Sequence, residues 1–131
     1  MHLTAIFDQS LIGRSDRAAL EYVEADGALR TLTFGQIEAR ANQMAHELEA
    51  RGMQSGDRLC VHLGNGVAFI DLFLACVRLG VIFVPMNVLY RERELRHIIG
   101  DAEPNAVVTP STTDAVYPEG AMLWPVERLL A

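Results

Sequence analysis

Hydrophobic residues dominate the chain between positions 56 and 87, GDRLCVHLGNGVAFIDLFLACVRLGVIFVPMN. Residues 58–63 and 81–84 have the apolar content of buried strands, and Pro85 has no N–H with which to extend the second. Val67–Leu79 is apolar on nearly every side, and Gly80 ends this predicted helix. Two apolar strands joined by a helix predict a parallel pair covered on both faces, because a strand with one wet face would alternate polar and apolar residues.

Two further elements are predicted ahead of this unit. Apolar residues at helical spacing near the start of the chain predict a short amphipathic helix that ends at Gly13. Ala18–Val23 and Leu29–Thr33 are strand-like, and the Asp26-Gly27 pair between them suits a tight turn that needs positive φ. The sequence therefore predicts a β-hairpin after the first helix.

A longer helix is predicted directly after the hairpin. Thr33 and Gln36 form the capping-box pattern, in which two side chains satisfy free N–H groups at a helix start, so the helix should begin at Phe34. An apolar stripe follows at helical spacing. Gly52 is placed to adopt the left-handed conformation just beyond the helix end.

The region after position 87 continues the alternation of helix and strand. A charged helix is predicted from about residue 91 to 99, with Gly100 at its end, and Ala106–Thr109 has the pattern of a third buried strand. Residues 121–124 are a candidate strand, and Val126–Leu130 is a candidate final helical turn. The predicted fold class is α/β: a β-hairpin followed by β-α-β-α-β with parallel strands.

Composition limits the classes of function. A length of 131 residues, half of them hydrophobic, suits one globular domain. The net charge of −6 argues against a nucleic acid or an anionic membrane as the main partner. Asp71 and Arg78 interrupt the apolar run before it reaches the roughly 20 residues that a bilayer requires, so no transmembrane segment is predicted. No signal peptide opens the chain, and a cytoplasmic location is expected.

The reactive residue types narrow the chemistry further. Cys60 and Cys76 lie in apolar segments and are expected to be buried free thiols. The four histidines have neither metal-ligand spacing nor a neighbouring nucleophile motif, so no metal site is predicted and the rings are expected to be solvated or at the edge of the core. All eleven basic residues are arginines, which excludes lysine-dependent chemistry within this chain.

Three polar motifs are candidates for binding anions. The Gly-Asn-Gly turn at 64–66 lies where a dinucleotide fold places its phosphate-binding glycines, but a third glycine and a later acidic residue are missing, which favours a structural turn. The Ser-Thr-Thr run at 111–113 lacks the glycines and the lysine of a phosphate loop. Arg91, Arg93 and Arg96 suit phosphates, although the acidic residues between them favour a solvated, self-paired helix surface.

Several short signs follow one another along the chain in a characteristic order. They are Thr33-Phe34 before a helix, Gly52, Gly56-Asp57, Asn65, Gly80, Pro85 with Asn87, and Glu94-Leu95 with Ile98 before a strand. This order closely resembles the start of AMP-forming acyl-CoA synthetases, in the adenylate-forming ligase superfamily. The resemblance covers nearly the whole chain and is greatest to malonyl-CoA and medium- or long-chain acyl-CoA synthetases.

The resemblance implies an enzyme that uses ATP and Mg²⁺ to convert a small carboxylate into an acyl-adenylate, and then transfers the acyl group to coenzyme A. It implies that residues 1–131 are a single partial domain, the amino-terminal part of the enzyme's large domain, with the remainder of the same polypeptide as partner. The family's phosphate loop, nucleotide motifs and catalytic lysine come later in the sequence. The chain should therefore contain no catalytic residue and be inactive alone, as a truncated product, an expressed domain or a proteolytic fragment.

The resemblance also gives the arginine cluster a role. In family members the segment after the Pro-x-Asn sign can lie near the nucleotide end of coenzyme A, which makes Arg91 and Arg93 candidate contacts to its phosphates. Sheet edges made for the missing remainder would be exposed, so self-association through them is expected. Two other functions stay open: a free-standing, non-catalytic α/β binding or interaction module, and a small dinucleotide-binding enzyme.

Overall fold

The chain forms a two-stranded antiparallel sheet and a four-stranded parallel sheet in a computed structural model that describes residues 16–24 and 26–130. Strand β1 (Ala18–Val23) pairs with β2 (Leu29–Thr33), which confirms the predicted hairpin. In the turn, Gly27 has a φ of 83° and the Asp26 carboxylate accepts the N–H of Ala28 at 2.8 Å. The predicted helix that ends at Gly13 lies outside the described residues.

Helix α1 (Phe34–Ala50) begins where the capping box predicts. The Thr33 hydroxyl accepts the N–H of Gln36 at 3.1 Å, and the Gln36 side-chain oxygen accepts the N–H of Thr33 at 2.8 Å. Beyond the other end of the helix, Gly52 has a φ of 94°, which confirms the left-handed residue expected there. The buried face of the helix consists of Ala41, Met44, Ala45 and Leu48.

The parallel sheet is the framework of the remaining chain. Its strands are β3 (Arg58–Val61), β4 (Ile82–Pro85), β5 (Ala106–Thr109) and β6 (Leu123–Pro125), in the spatial order β4-β3-β5-β6. Helix α2 (Val67–Leu79) connects β3 to β4, and helix α3 (Glu92–Ala102) connects β4 to β5. The predicted β-α-β-α-β order with parallel strands is confirmed, and β6 extends the sheet by one strand.

Helices cover both faces of this sheet, as predicted. On one face, α1, α2 and the short helix α4 (Val126–Leu130) pack against Leu59 and Val61 of β3. On the other face, Leu95 of α3 packs in a second core that includes Cys60. Because successive side chains of a strand point to opposite faces, β3 contributes to both cores.

The two charged residues of the otherwise apolar helix α2 face helix α1. The guanidinium of Arg40 binds the carboxylate of Asp71, and Arg78 lies 3.9 Å from the carboxylate of Glu38. Asp71 is almost completely buried, so the hydrogen bonds from Arg40 replace those that water would otherwise donate to its carboxylate. Among the described residues, no helix is both long and apolar enough to cross a bilayer.

Four predicted boundaries are wrong. Strand β4 is Ile82–Pro85 rather than 81–84, because Pro85 still pairs with Val61 in the parallel ladder. Helix α3 continues through Gly100 to Ala102, because Ala102 packs against the second core and this packing outweighs the roughly 1 kcal/mol cost of a helical glycine. Strand β3 stops at Val61 rather than at residue 63, since Val61 lies opposite Pro85, the last residue of β4. The last strand is Leu123–Pro125 rather than 121–124, because its register pairs Thr109, the end of β5, with Pro125.

Both cysteines are buried free thiols, as predicted. Burial raises the pKa of Cys60 to about 11 and the pKa of Cys76 to about 12, because the thiolate loses its hydration. The two thiols therefore stay protonated at neutral pH and behave as small apolar side chains.

Candidate functional site

The carboxyl ends of the parallel strands meet at one edge of the sheet. The chain runs from β3 to β4 on one side and then crosses back past β3 to β5 on the other, so the direction of winding reverses between β3 and β5. Ligands of open α/β sheets bind in the crevice at such a reversal. The candidate site therefore consists of the segments that follow β3, β4 and β5, residues 62–66, 86–91 and 110–117, which together are called the carboxyl edge below.

His62 follows β3 directly, and its side chain is completely buried. Its Nδ1 lies 2.6 Å from the hydroxyl oxygen of Tyr117, and the two rings meet edge to face with their centroids 5.5 Å apart. The other ring nitrogen, Nε2, is buried without a hydrogen-bond partner among the described residues. The expectation of a solvated or core-edge ring is therefore wrong for His62, whereas His46 and His97 are exposed and His2 lies outside the described residues.

The environment of His62 keeps its ring neutral. Burial lowers the pKa of His62, since desolvation disfavours the charged imidazolium. The carbonyl oxygen of Asn87, and to a smaller extent those of Val88 and Tyr90, raise this pKa, while the positive charge of Arg91 lowers it. The net direction is downward, so the ring is uncharged at neutral pH.

Tyr117 is the hydrogen-bond partner of His62 at Nδ1. Desolvation raises the pKa of Tyr117, an effect that the Thr113 hydroxyl and the charge of Arg91 only partly offset. The phenol therefore keeps its hydrogen at neutral pH and can donate it to Nδ1 of His62.

Arg91 is the N-cap residue of helix α3 and belongs to the carboxyl edge. Its Nη1 donates to the carbonyl oxygens of Val88 at 2.9 Å and Tyr90 at 2.8 Å. Its Nε lies 3.3 Å from the carboxylate of Asp114, and the side chain is 49% exposed. These contacts hold the guanidinium in place while leaving part of its planar donor edge at the surface.

A cleft of about 600 Å³ opens beside Arg91. Its lining combines the guanidinium with two threonines and one carboxylate, together with apolar side chains; the residues are Val88, Arg91, Pro110, Thr112, Thr113 and Asp114. Guanidinium and hydroxyl donors suit a phosphate group. The carboxylate of Asp114 already pairs with this guanidinium, so any anion bound there would have to compete with Asp114.

The other two arginines of the cluster lie apart from this cleft. Arg93 is exposed near the start of α3. Arg96 pairs with Glu92 on the helix surface, with 2.7 Å between nitrogen and oxygen. The predicted self-paired surface is thus found at Arg96, whereas Arg91 is paired to a different segment of the chain.

The Gly-Asn-Gly turn at 64–66 connects β3 to α2 and lines a smaller cleft of about 300 Å³. Phe69 stands where a dinucleotide-binding motif has its third glycine, and its ring packs edge to face on Phe83 at 5.2 Å. A partly buried aromatic side chain packed against the core at this position excludes the close helix approach that the glycine provides. The dinucleotide alternative therefore has no structural support here. Across residues 16–24 and 26–130, no group of three or more metal-ligating side chains comes together.

Sequence reasoning missed the pair of His62 and Tyr117. The available signal was a histidine inside an otherwise apolar strand, in Leu-Cys-Val-His-Leu. A polar ring that follows three buried residues requires a buried partner. The identity of that partner could not be inferred, because Tyr117 lies in a loop-like segment 55 residues later.

Comparison with known sequences gives a consistent result. Residues 7–126 match the family model described as AMP-binding enzyme. The chain is 31% identical over 102 residues to acetyl-coenzyme A synthetase of Thiobacillus denitrificans. This alignment covers 78% of the present chain and 16% of the synthetase. It is 25% identical over 116 residues to crotonobetaine/carnitine–CoA ligase of Proteus mirabilis, in an alignment that covers 88% of the present chain and 22% of the ligase. The chain thus spans about a fifth of the length of these relatives.

Solved structures contain the same fold. The amino-terminal subdomain of Klebsiella oxytoca NpsA matches 98% of this chain with a TM-score of 0.87, over 32% of its own length and at 19% identity, which is a likeness of fold alone. O-succinylbenzoate coenzyme A synthetase of Bacillus subtilis, solved with AMP, matches 97% of this chain and 32% of its own, with a TM-score of 0.81 and 25% identity.

Proposed function

Because this chain belongs to the AMP-binding enzyme family, we propose that it forms the amino-terminal part of an ATP-dependent acid–CoA ligase. The complete enzyme would join a small carboxylate to ATP as an acyl-adenylate, with release of pyrophosphate, and then transfer the acyl group to the thiol of coenzyme A. The family match over nearly the whole chain is the observation that carries this proposal. A cytoplasmic location is part of it and is suggested by composition alone.

Within such an enzyme the described residues would act as a scaffold. The chain has no lysine, so the proposed adenylation lysine must come from the remainder of the polypeptide. A magnesium ion would be held outside the described residues, which bring together no cluster of metal ligands. The chain alone is therefore proposed to be inactive.

Arg91 is the best candidate for contact with coenzyme A. Its guanidinium is half exposed and lies beside a cleft that also presents the threonine hydroxyls, a donor set that fits a phosphate. Arg93 follows two positions later, and residues two apart do not share a helix face. Arg93 would therefore have to contact a different phosphate group from the one bound by Arg91.

The reaction can be tested with the complete protein. It is incubated with ATP, Mg²⁺ and a panel of carboxylates, with and without coenzyme A, while pyrophosphate release and thioester formation are followed. We expect pyrophosphate release with at least one acid and a thioester only when coenzyme A is present. The absence of pyrophosphate release with every acid would contradict the proposal, and residues 1–131 alone serve as the inactive comparison.

A further inference from the structure

One buried ring connects the two walls of the cleft beside Arg91. On one side, Nδ1 of His62 lies 2.6 Å from the hydroxyl of Tyr117, the residue that ends the segment carrying Thr112, Thr113 and Asp114. On the other side, the carbonyl groups of Asn87, Val88 and Tyr90 lie near the ring and raise the pKa of His62, although Nε2 has no hydrogen-bond partner among the described residues. His62 itself stays out of the cleft and is completely buried.

The carbonyl groups near His62 are also the ones that hold Arg91. Val88 and Tyr90 accept hydrogen bonds from Nη1 of Arg91 at 2.9 and 2.8 Å. The same backbone turn thus holds an arginine at the surface and lies beside the buried ring in the interior. A displacement of the ring therefore displaces the acceptors that fix the guanidinium.

We propose that His62 is a positioning residue, which fixes the 87–90 turn and the Tyr117 segment so that Arg91 points into the cleft between them. This inference rests on the proposed function, in which Arg91 binds a phosphate of coenzyme A. The ring acts in its neutral form, since a protonated His62 would add a second positive charge beside Arg91. The ionisable groups that face the ring are Tyr117 and Arg91, and Asp114 faces Arg91 from the opposite wall.

The decisive variant is Tyr117→Phe in the complete protein, because it removes one oxygen atom and keeps the ring that fills the space. Loss of this anchor should raise KM for coenzyme A roughly threefold to tenfold, the change in an equilibrium constant expected from one lost hydrogen bond. KM for ATP and kcat should stay unchanged. His62→Asn, which retains a polar group near the position of Nδ1, should have a smaller effect than His62→Leu. His97→Asn is the matched control, because His97 is exposed and pairs with Asp101 on α3.

A double-mutant cycle separates positioning from general structural damage. If His62 and Tyr117 act through Arg91, Tyr117→Phe should have almost no further effect on KM for coenzyme A in an Arg91→Ala background. Additive effects, or an unchanged KM in the single variant, would overturn the inference.

A spectroscopic readout keeps the inference testable without turnover. In protein labelled at arginine, the Arg91 Nε–Hε resonance should shift in Tyr117→Phe and stay in place in His97→Asn. If the wild-type protein forms no thioester, the proposed function fails and this resonance alone decides the role of His62. An unmoved Arg91 resonance would then refute it.

Discussion

The guanidinium of Arg40 binds both carboxylate oxygens of Asp71, with 3.2 Å from Nε to Oδ1 and 2.8 Å from Nη2 to Oδ2. The side chain of Asp71 is 4% exposed and that of Arg40 is 38% exposed, so the pair joins a buried charge on α2 to a partly solvated one on α1. Hydrogen bonding to Asp71 raises the pKa of Arg40. The ion pair therefore links α1 to α2, the two longest helices on this face of the sheet.

Arg40→Ala should destabilise the protein, because it leaves the Asp71 carboxylate buried without its partner. We expect a loss of about 2 kcal/mol in the free energy of unfolding, below the roughly 3–5 kcal/mol of a fully buried pair, since water reaches Arg40. Denaturant titration measures the change. The double variant Arg40→Leu with Asp71→Leu should recover much of the loss, because it removes both charges.

The control for this prediction is Arg96→Ala. Arg96 forms an equally short ion pair with Glu92, but both side chains are mostly exposed. Its loss should change the free energy of unfolding by less than about 0.5 kcal/mol. Equal effects of Arg40→Ala and Arg96→Ala would contradict the importance given to burial.

Arg91→Ala in the complete enzyme should weaken coenzyme A binding while leaving ATP binding intact. A charged hydrogen bond to phosphate is worth enough to raise KM for coenzyme A by about tenfold or more. Arg91→Lys should recover only part of this, since an ammonium lacks the planar fork. Steady-state kinetics with each substrate varied in turn gives the two KM values, and an unchanged KM for coenzyme A would remove Arg91 from the site.

His62 should make the protein less stable as the pH falls. Its pKa in the folded protein is lowered from the ordinary value of 6.5. The unfolded chain therefore takes up this proton first, and the free energy of unfolding decreases as the pH drops below about 6.5. Denaturant midpoints between neutral and mildly acidic pH should fall more steeply in the wild type than in His62→Asn. Parallel curves for the two proteins would show that His62 titrates normally.

Residues 1–131 expressed alone should self-associate through the ends of the parallel sheet. The edge strands are β4 and β6, where Ile82 is 48% and Leu123 is 41% exposed. Light scattering should show a mass that increases with concentration, and Ile82→Lys should reduce it. Val23→Lys is the comparison, because Val23 is exposed on the separate hairpin. A strictly monomeric species at high concentration would count against this prediction.

Elements with local causes could be predicted from the sequence. The hairpin depends on Asp26-Gly27, and the start of α1 depends on two side chains three positions apart. The end of α3 could not be predicted, because it depends on how Ala102 packs against a core formed by other elements.

The candidate site was only partly accessible to sequence reasoning, for the same reason. Arg91 was recognised as a phosphate-type residue from its cluster and from the family resemblance, and its role stays a proposal. Its partner Asp114, and the contact of His62 with Tyr117, join segments far apart in the sequence. Such pairs depend on the order of the strands in the sheet, which cannot be inferred from local sequence patterns.

Strand β3 lies between β4 and β5 and supplies side chains to both cores. Neither helical layer can therefore be completed before this strand is in place, although its partners β4 and β5 come later in the chain. Formation of the parallel sheet then requires the closure of long loops, which is the slow kind of step in folding. The hairpin, whose contacts are local, has no such delay. The segment that is richest in apolar residues is thus also the one whose strand pairing is completed last.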